Sequence, residues 1–108
     1  MLYFYKGIET KSMLFGKLIK DLRLKKGVSI KKLAPILGLN YTYISKIENS
    51  RVSPSPEVLK KMSNYFGYDS DELLIKAGKI PSDVEEIIKN NPREAVAYLR
   101  RKFSARAE

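Results

Sequence analysis

The chain is predicted to be all-α, and three observations predict it. Apolar residues between positions 14 and 103 recur three and four apart, with no run of alternation long enough for a buried strand. Ser, Asn or Asp stands ahead of most of these segments, where a side-chain oxygen can accept a free backbone N–H. Gly27, Gly38, Gly67 and Gly78 stand behind them, where a helix ends in a left-handed residue.

The segment Leu14–Lys26 is predicted as the first helix, with Leu14, Leu18, Leu22 and partly Ile19 turned inward and Gly27 ending it. Ser29 caps a second helix, Ile30–Leu37, whose Ile30, Leu33, Ala34 and Leu37 keep the i, i+3, i+4, i+7 spacing. Pro35 lies inside it and removes one hydrogen bond, at about 3 kcal/mol in a regular helix, so a kink or a loose first turn is expected. Gly38 breaks the chain and Asn40 caps a third helix, about 40–49, with Ile44 and Ile47 facing inward. Two short helices about a tight glycine turn form a helix-turn-helix unit.

Further along, Ser55-Pro56-Glu57 combines a capping serine, a first-turn proline and an acid at the positive helix end, opening a helix over 56–66. Asp69 and Glu72 read as a capping box for a helix over 70–77. Ser82 and Glu85 read as another for 82–89, and Asn91-Pro92 opens a seventh helix. Leu2-Tyr3-Phe4-Tyr5 is short, apolar and β-prone, with Gly7 following. It is read as a strand pairing with its copy, as a frayed end, or as a minor-groove arm, the last weakened by having one Lys6 and no Arg.

The chain has 108 residues, a single-domain length, and neither cysteine nor histidine for a disulfide or metal staple. No nucleophile–base pair or clustered carboxylates suggest catalysis, so no enzyme, no metal and no cofactor is expected. No apolar run approaches the ~18 residues of a membrane span, and no signal-peptide core opens the chain. A cytoplasmic protein without membrane contact is therefore expected. Of the net charge of +9, most sits in residues 13–55, where nine Lys/Arg face only Asp21 and Glu48. Residues 56–79 are balanced at four against four. The cationic surface thus coincides with the helix-turn-helix, as binding of a polyanion requires.

Ala34, Gly38, Ile44, Ile47 and the Glu48-Asn49 pair resemble the phage-repressor-type (xenobiotic-response-element, Cro-like) helix-turn-helix regulators. The resemblance extends upstream through LIKDLRLKKGVS and downstream through Pro54, LKKMSNYFGY and DELL, roughly residues 15–77. It implies a five-helix lambda-repressor-like DNA-binding domain over 14–78, with an N-terminal extension, 1–13, and two additional C-terminal helices over 79–108. It also implies that Arg23 pairs with Glu48 to orient the third helix, with Arg23 a second candidate for touching phosphate.

By position in the motif, the resemblance places Tyr41, Thr42 and Lys46 toward bases. Lys46 can donate to guanine and Thr42 can meet a thymine methyl, while the competing role for Lys46 is a phosphate contact. Ser29, Lys31, Tyr43, Ser45, Asn49, Arg51 and Ser53 are candidates for the sugar–phosphate backbone, which sets register. The tyrosines can instead pack against the turn or a partner.

A five-helix domain is complete without the last two helices, so their apolar residues need a surface. Val84, Ile87, Ile88, Val96, Leu99 and Phe103 either fold back on their own domain or meet a second copy in an isologous interface, the reading favoured here. The expected function is a transcriptional regulator binding double-stranded DNA as a homodimer on an inverted repeat. In size and C-terminal helices the chain is similar to controller proteins of restriction–modification systems. The alternative is an antitoxin-type regulator that also neutralises a protein partner.

Overall fold

The computed structural model describes residues 11–104, with side chains from residue 13. The strand, frayed end or arm read at residues 2–5 lies outside them. Seven helices follow one another: α1 Lys11–Lys25, α2 Ile30–Leu37, α3 Tyr41–Glu48, α4 Pro56–Phe66, α5 Ser70–Lys76, α6 Ser82–Asn90 and α7 Pro92–Phe103. No strand occurs among the described residues, so the fold class is all-α as the periodicity predicts.

Helices α1 to α5 share one core, to which Phe15, Ile19, Leu33, Leu37, Ile44, Ile47, Leu59, Met62 and Leu73 contribute buried side chains. Burying each such side chain contributes about 1.5–3 kcal/mol of transfer free energy, and this sets the packing of all five helices. The inward face of α1 differs from the sequence expectation. Phe15, Ile19 and Arg23 are buried, Leu18 and Leu22 are partly covered, and Leu14 is 50% exposed. Gly16 explains the rotation. A Cβ there would lie 2.5 Å from the Glu48 carbonyl oxygen and 2.9 Å from that of Ile47. Only a residue without a side chain lets α1 press this closely on the end of α3, and that contact turns Phe15 inward and Leu14 out.

Pro35 does not break α2. Helix 30–37 is continuous, and its first turn is closed by Leu33 N–H to the Ser29 carbonyl at 2.9 Å. Pro35 and Lys31 both lie on the exposed side, so water can take the Lys31 carbonyl that the proline leaves unbonded. The capping pattern at Asp69 forms in part: Asp69 accepts from the Glu72 N–H at 2.9 Å, while the Glu72 carboxylate accepts from the Tyr68 hydroxyl at 2.9 Å. Burial and that carboxylate together raise the Tyr68 phenol above its ordinary range.

The box read at Ser82 does not form. Pro81 is the N-cap of α6, Ser82 is already inside the helix, and no side chain caps that end. Asn91 likewise makes no side-chain cap for α7; its amide nitrogen donates backward to the Ile87 carbonyl at 3.0 Å at the end of α6.

Gly16→Ala should lower stability by about 1–3 kcal/mol, the usual cost of overpacking a tight contact. Urea denaturation checks this, and an unchanged midpoint would mean that α1 does not press on α3.

Candidate nucleic-acid interface

The interface is built outward from the α2–α3 turn. Gly38, at φ 66°, ends α2: its N–H bonds the Pro35 carbonyl at 3.1 Å and the Leu39 N–H bonds that of Ala34 at 2.8 Å. These two bonds make a Schellman end, which needs a left-handed residue at the glycine position. Asn40 then takes the Thr42 N–H on its Oδ1 at 2.8 Å and starts α3. At the far end of α3 the same bond pattern recurs without a glycine. Ser50 sits at φ 61°, with Ser50 N–H on the Ile47 carbonyl at 3.1 Å and Arg51 N–H on that of Lys46 at 2.8 Å. A left-handed serine costs roughly 1–2 kcal/mol of steric strain, so the direction of the loop leaving α3 is set by its packing.

Ile44 and Ile47 are 0% and 1% exposed and pin one side of α3 to the core. Tyr41, Thr42 and Lys46 are exposed on this helix, and Tyr43 and Ser45 are half-buried. Arg51 and Ser53 are exposed in the loop that follows. Asn49 donates its amide to the Ser45 carbonyl at 2.9 Å, and its amide nitrogen lies 3.4 Å from the Ser45 hydroxyl. It therefore finishes α3 with its own amide. At the start of α2 the Ser29 oxygen accepts the Lys32 N–H at 3.2 Å, leaving the hydroxyl proton to donate, and Lys31 is exposed beside it.

Below this surface Arg23 of α1 reaches Glu48. Its Nε donates to Oε2 at 2.7 Å and its Nη2 to Oε1 at 3.0 Å, while Nη1 donates to the Val28 carbonyl at 3.0 Å. The side chains are 9% and 5% exposed, so this is a buried two-pronged pair. The hydrogen bond to Glu48 raises the arginine above its already high ordinary value, against an opposing effect of burial. Arg23 is charged at every accessible pH. Because the guanidinium is turned inward, the second role proposed for Arg23, touching phosphate, does not fit its position.

The arrangement is a capped helix, held at both ends, with one face in the core and Tyr41, Thr42 and Lys46 exposed. The helix-turn-helix family (HTH_3) matches residues 19–73, which span α1 to α5 around this unit. The chain belongs to the helix-turn-helix family. A SPbeta prophage-derived HTH-type transcriptional regulator, YonR of Bacillus subtilis, is 32% identical over 84 residues, covering 78% of this chain and 76% of its own length. The HTH-type transcriptional regulator RghRB of Bacillus subtilis is 34% identical over 74 residues, which span 68% of this chain and 53% of that relative. The clp gene regulator ClgR of Corynebacterium glutamicum superposes over 93% of this chain and 98% of its own, with a TM-score of 0.55 and 20% identity. That likeness is one of fold.

In this helix-turn-helix chain, α6 and α7 contribute no buried residue. Val84 and Val96 are both 38% exposed, Leu99 44%, Ile87 57% and Phe103 72%, with Ile88 half-covered. Of the two surfaces considered for these residues, their own domain does not cover them. Among the described residues, no group of three or more His, Cys, Asp or Glu could hold a metal ion, and no helix is long and apolar enough to cross a membrane.

Two features of the site escaped the sequence reading. Gly16 could have been found as a glycine inside an amphipathic helix, a usual sign of close approach. Ser50 had no such sign, since its left-handed backbone follows from a bond pattern that other turns give to glycine.

Arg23→Met should cost about 3–5 kcal/mol, because it leaves the Glu48 carboxylate buried without a partner. The double change Arg23→Met, Glu48→Leu should recover most of that loss in the same denaturation assay. A single mutant as stable as the parent would show that the pair is solvated.

Proposed function

We propose that this chain is a sequence-specific regulator of transcription that binds double-stranded DNA as a homodimer on an inverted repeat. The observation that carries the reading is the outer face of α3. Tyr41, Thr42 and Lys46 are all exposed on a helix that is locked to the core by Ile44, Ile47 and the Glu48–Arg23 pair. A major groove admits one helix, and residues near its N-terminus reach base edges. Lys46 donates to guanine O6 or N7, Thr42 meets a thymine methyl or a base acceptor, and Tyr41 adds a ring and a hydroxyl.

Ser29, Lys31, Tyr43, Ser45, Asn49, Arg51 and Ser53 border this face and serve the phosphates on either side. Such contacts hold register and make affinity depend on salt. The names of the relatives YonR and RghRB, both transcriptional regulators, support the same role.

Two copies are proposed because one helix supplies only three base contacts, each worth roughly 1–3 kcal/mol of discrimination. A symmetric pair reads two half-sites roughly 34 Å apart. The uncovered apolar residues of α6 and α7 supply the interface, with Val84, Ile87, Ile88, Val96, Leu99 and Phe103 meeting their own copies across the twofold axis. The same surface could instead take a foreign protein in an antitoxin-type role, and the mass of the purified species separates the two readings. Placement in the cytoplasm goes with a double-stranded DNA target.

Selection of bound sequences from a random duplex pool tests the proposal. An inverted repeat with half-sites one turn apart is expected, and enrichment of no sequence would reject it. Lys46→Ala should weaken the selected duplex by about 1–3 kcal/mol and random DNA much less. Arg51→Ala should weaken both alike and reduce the salt slope by about one unit, as a phosphate contact does. Leu99→Asp should give monomers by light scattering and poor operator binding, whereas an unchanged dimer would move the interface elsewhere.

A further inference from the structure

Among the described residues, Ser50 alone carries a side chain at a left-handed position, with φ 61°. The other such positions are glycines, and a Cβ there would meet nothing beyond its own chain neighbours nearer than 3.8 Å. Ser50 stands in different surroundings. A Cβ on Gly16 of α1 would come within 2.9 Å of the Ser50 Oγ, so the hydroxymethyl group occupies the space that Gly16 leaves empty. Where a left-handed residue faces open space the chain has glycine. Where it meets another helix the chain has a side chain, and the glycine lies across the contact.

That seat governs the residues that follow. The Arg51 N–H bonds the Lys46 carbonyl at 2.8 Å, which ties the start of the loop to the last turn of α3. Burial then alternates along the loop. Ser50 is half-buried, Val52 packs against the core and Pro54 is fully buried, while Arg51 and Ser53 between them are exposed. A backbone held in a sparsely populated region persists only where its surroundings over-determine it. Glycine would take the same φ with no steric penalty, so what the serine adds at this point is position rather than stability.

We propose that Ser50 is a positioning residue for contact with the DNA backbone: its side chain, seated on α1 at Gly16, holds residues 51–53 so that Arg51 and Ser53 meet phosphates in register with α3. A loop fixed before binding has less freedom to lose on the duplex. The inference rests on the DNA-binding reading and adds to it the device that keeps the phosphate contacts in order.

The test compares the full chain with Ser50→Gly. Glycine keeps the left-handed turn, relieves its strain and removes the Oγ contact, so the urea midpoint should equal or exceed the parent's. The heteronuclear Overhauser effects of amides 51–53, measured without DNA, should fall while those of 41–46 stay unchanged. Affinity should fall about two- to fivefold, the freedom that a glycine adds to the unbound loop. The loss should be alike for a selected duplex and for random DNA, because phosphate contacts carry no sequence information. Loop amides as ordered as the parent's would overturn the proposal. So would unchanged affinity, a loss confined to the selected duplex, or a lowered midpoint. A parent with no affinity for any duplex would reject the DNA-binding reading and, with it, the role of Ser50 toward phosphates, whatever the order of the loop.

Discussion

A carboxylate kept from water must have a partner, and Glu48 has Arg23. The pair joins the last turn of the helix that carries the outward side chains to the long first helix, with two hydrogen bonds of 2.7 and 3.0 Å. The third arginine contact, to the Val28 carbonyl, brings in the link between α1 and α2. Compared with well-packed apolar residues, such a pair adds little net stability, but it holds direction strictly, because any rotation of α3 would strand a charge. The position of the exposed side of α3 relative to the core is therefore fixed at the end where the chain leaves for the next loop.

Everything near that pair is arranged to keep it dry and close. Gly16 brings the backbone of α1 onto the carbonyls of Ile47 and Glu48. Ile44 and Ile47 fill the space on the core side, and Ser50 accepts a left-handed backbone so that the loop turns away at once. At the other end of α3, Gly38 and Asn40 define the entry angle through backbone and cap bonds. A helix of eight residues is too short to be stable alone in water. Here its two caps, two buried isoleucines and one ion pair make it a rigid projection.

Much of this was readable from the sequence because it is local. Ser29, Asn40, Ser55 and Asp69 bond N–H groups two or three residues ahead, and Gly38 and Gly67 close helices through neighbours no more than five residues away. The failures are instructive in the same terms. Residues Ser82 and Glu85 have the letters of a capping box, but Pro81 holds the extended position and so takes the cap. The choice between Leu14 and Phe15 on α1 could not come from hydrophobic spacing, since both satisfy it. It is settled by the approach of α3, some thirty residues further on. Arg23 and Glu48 lie 25 positions apart, beyond the reach of any periodicity, and only the resemblance to a family suggested joining them.

The C-terminal helices illustrate a different limit. Their periodicity predicts helices, and helices are present, but an amphipathic stripe names no partner. In a single chain the stripe remains open to water.

The most direct measurement is amide chemical-shift mapping of the full-length protein titrated with a duplex recovered by selection. The account predicts that the largest changes fall on residues 41–46 and on 49–53, with lesser ones at 29–32, while the α6–α7 amides stay nearly fixed. Changes centred on α6 and α7, with Tyr41–Lys46 unmoved, would contradict it.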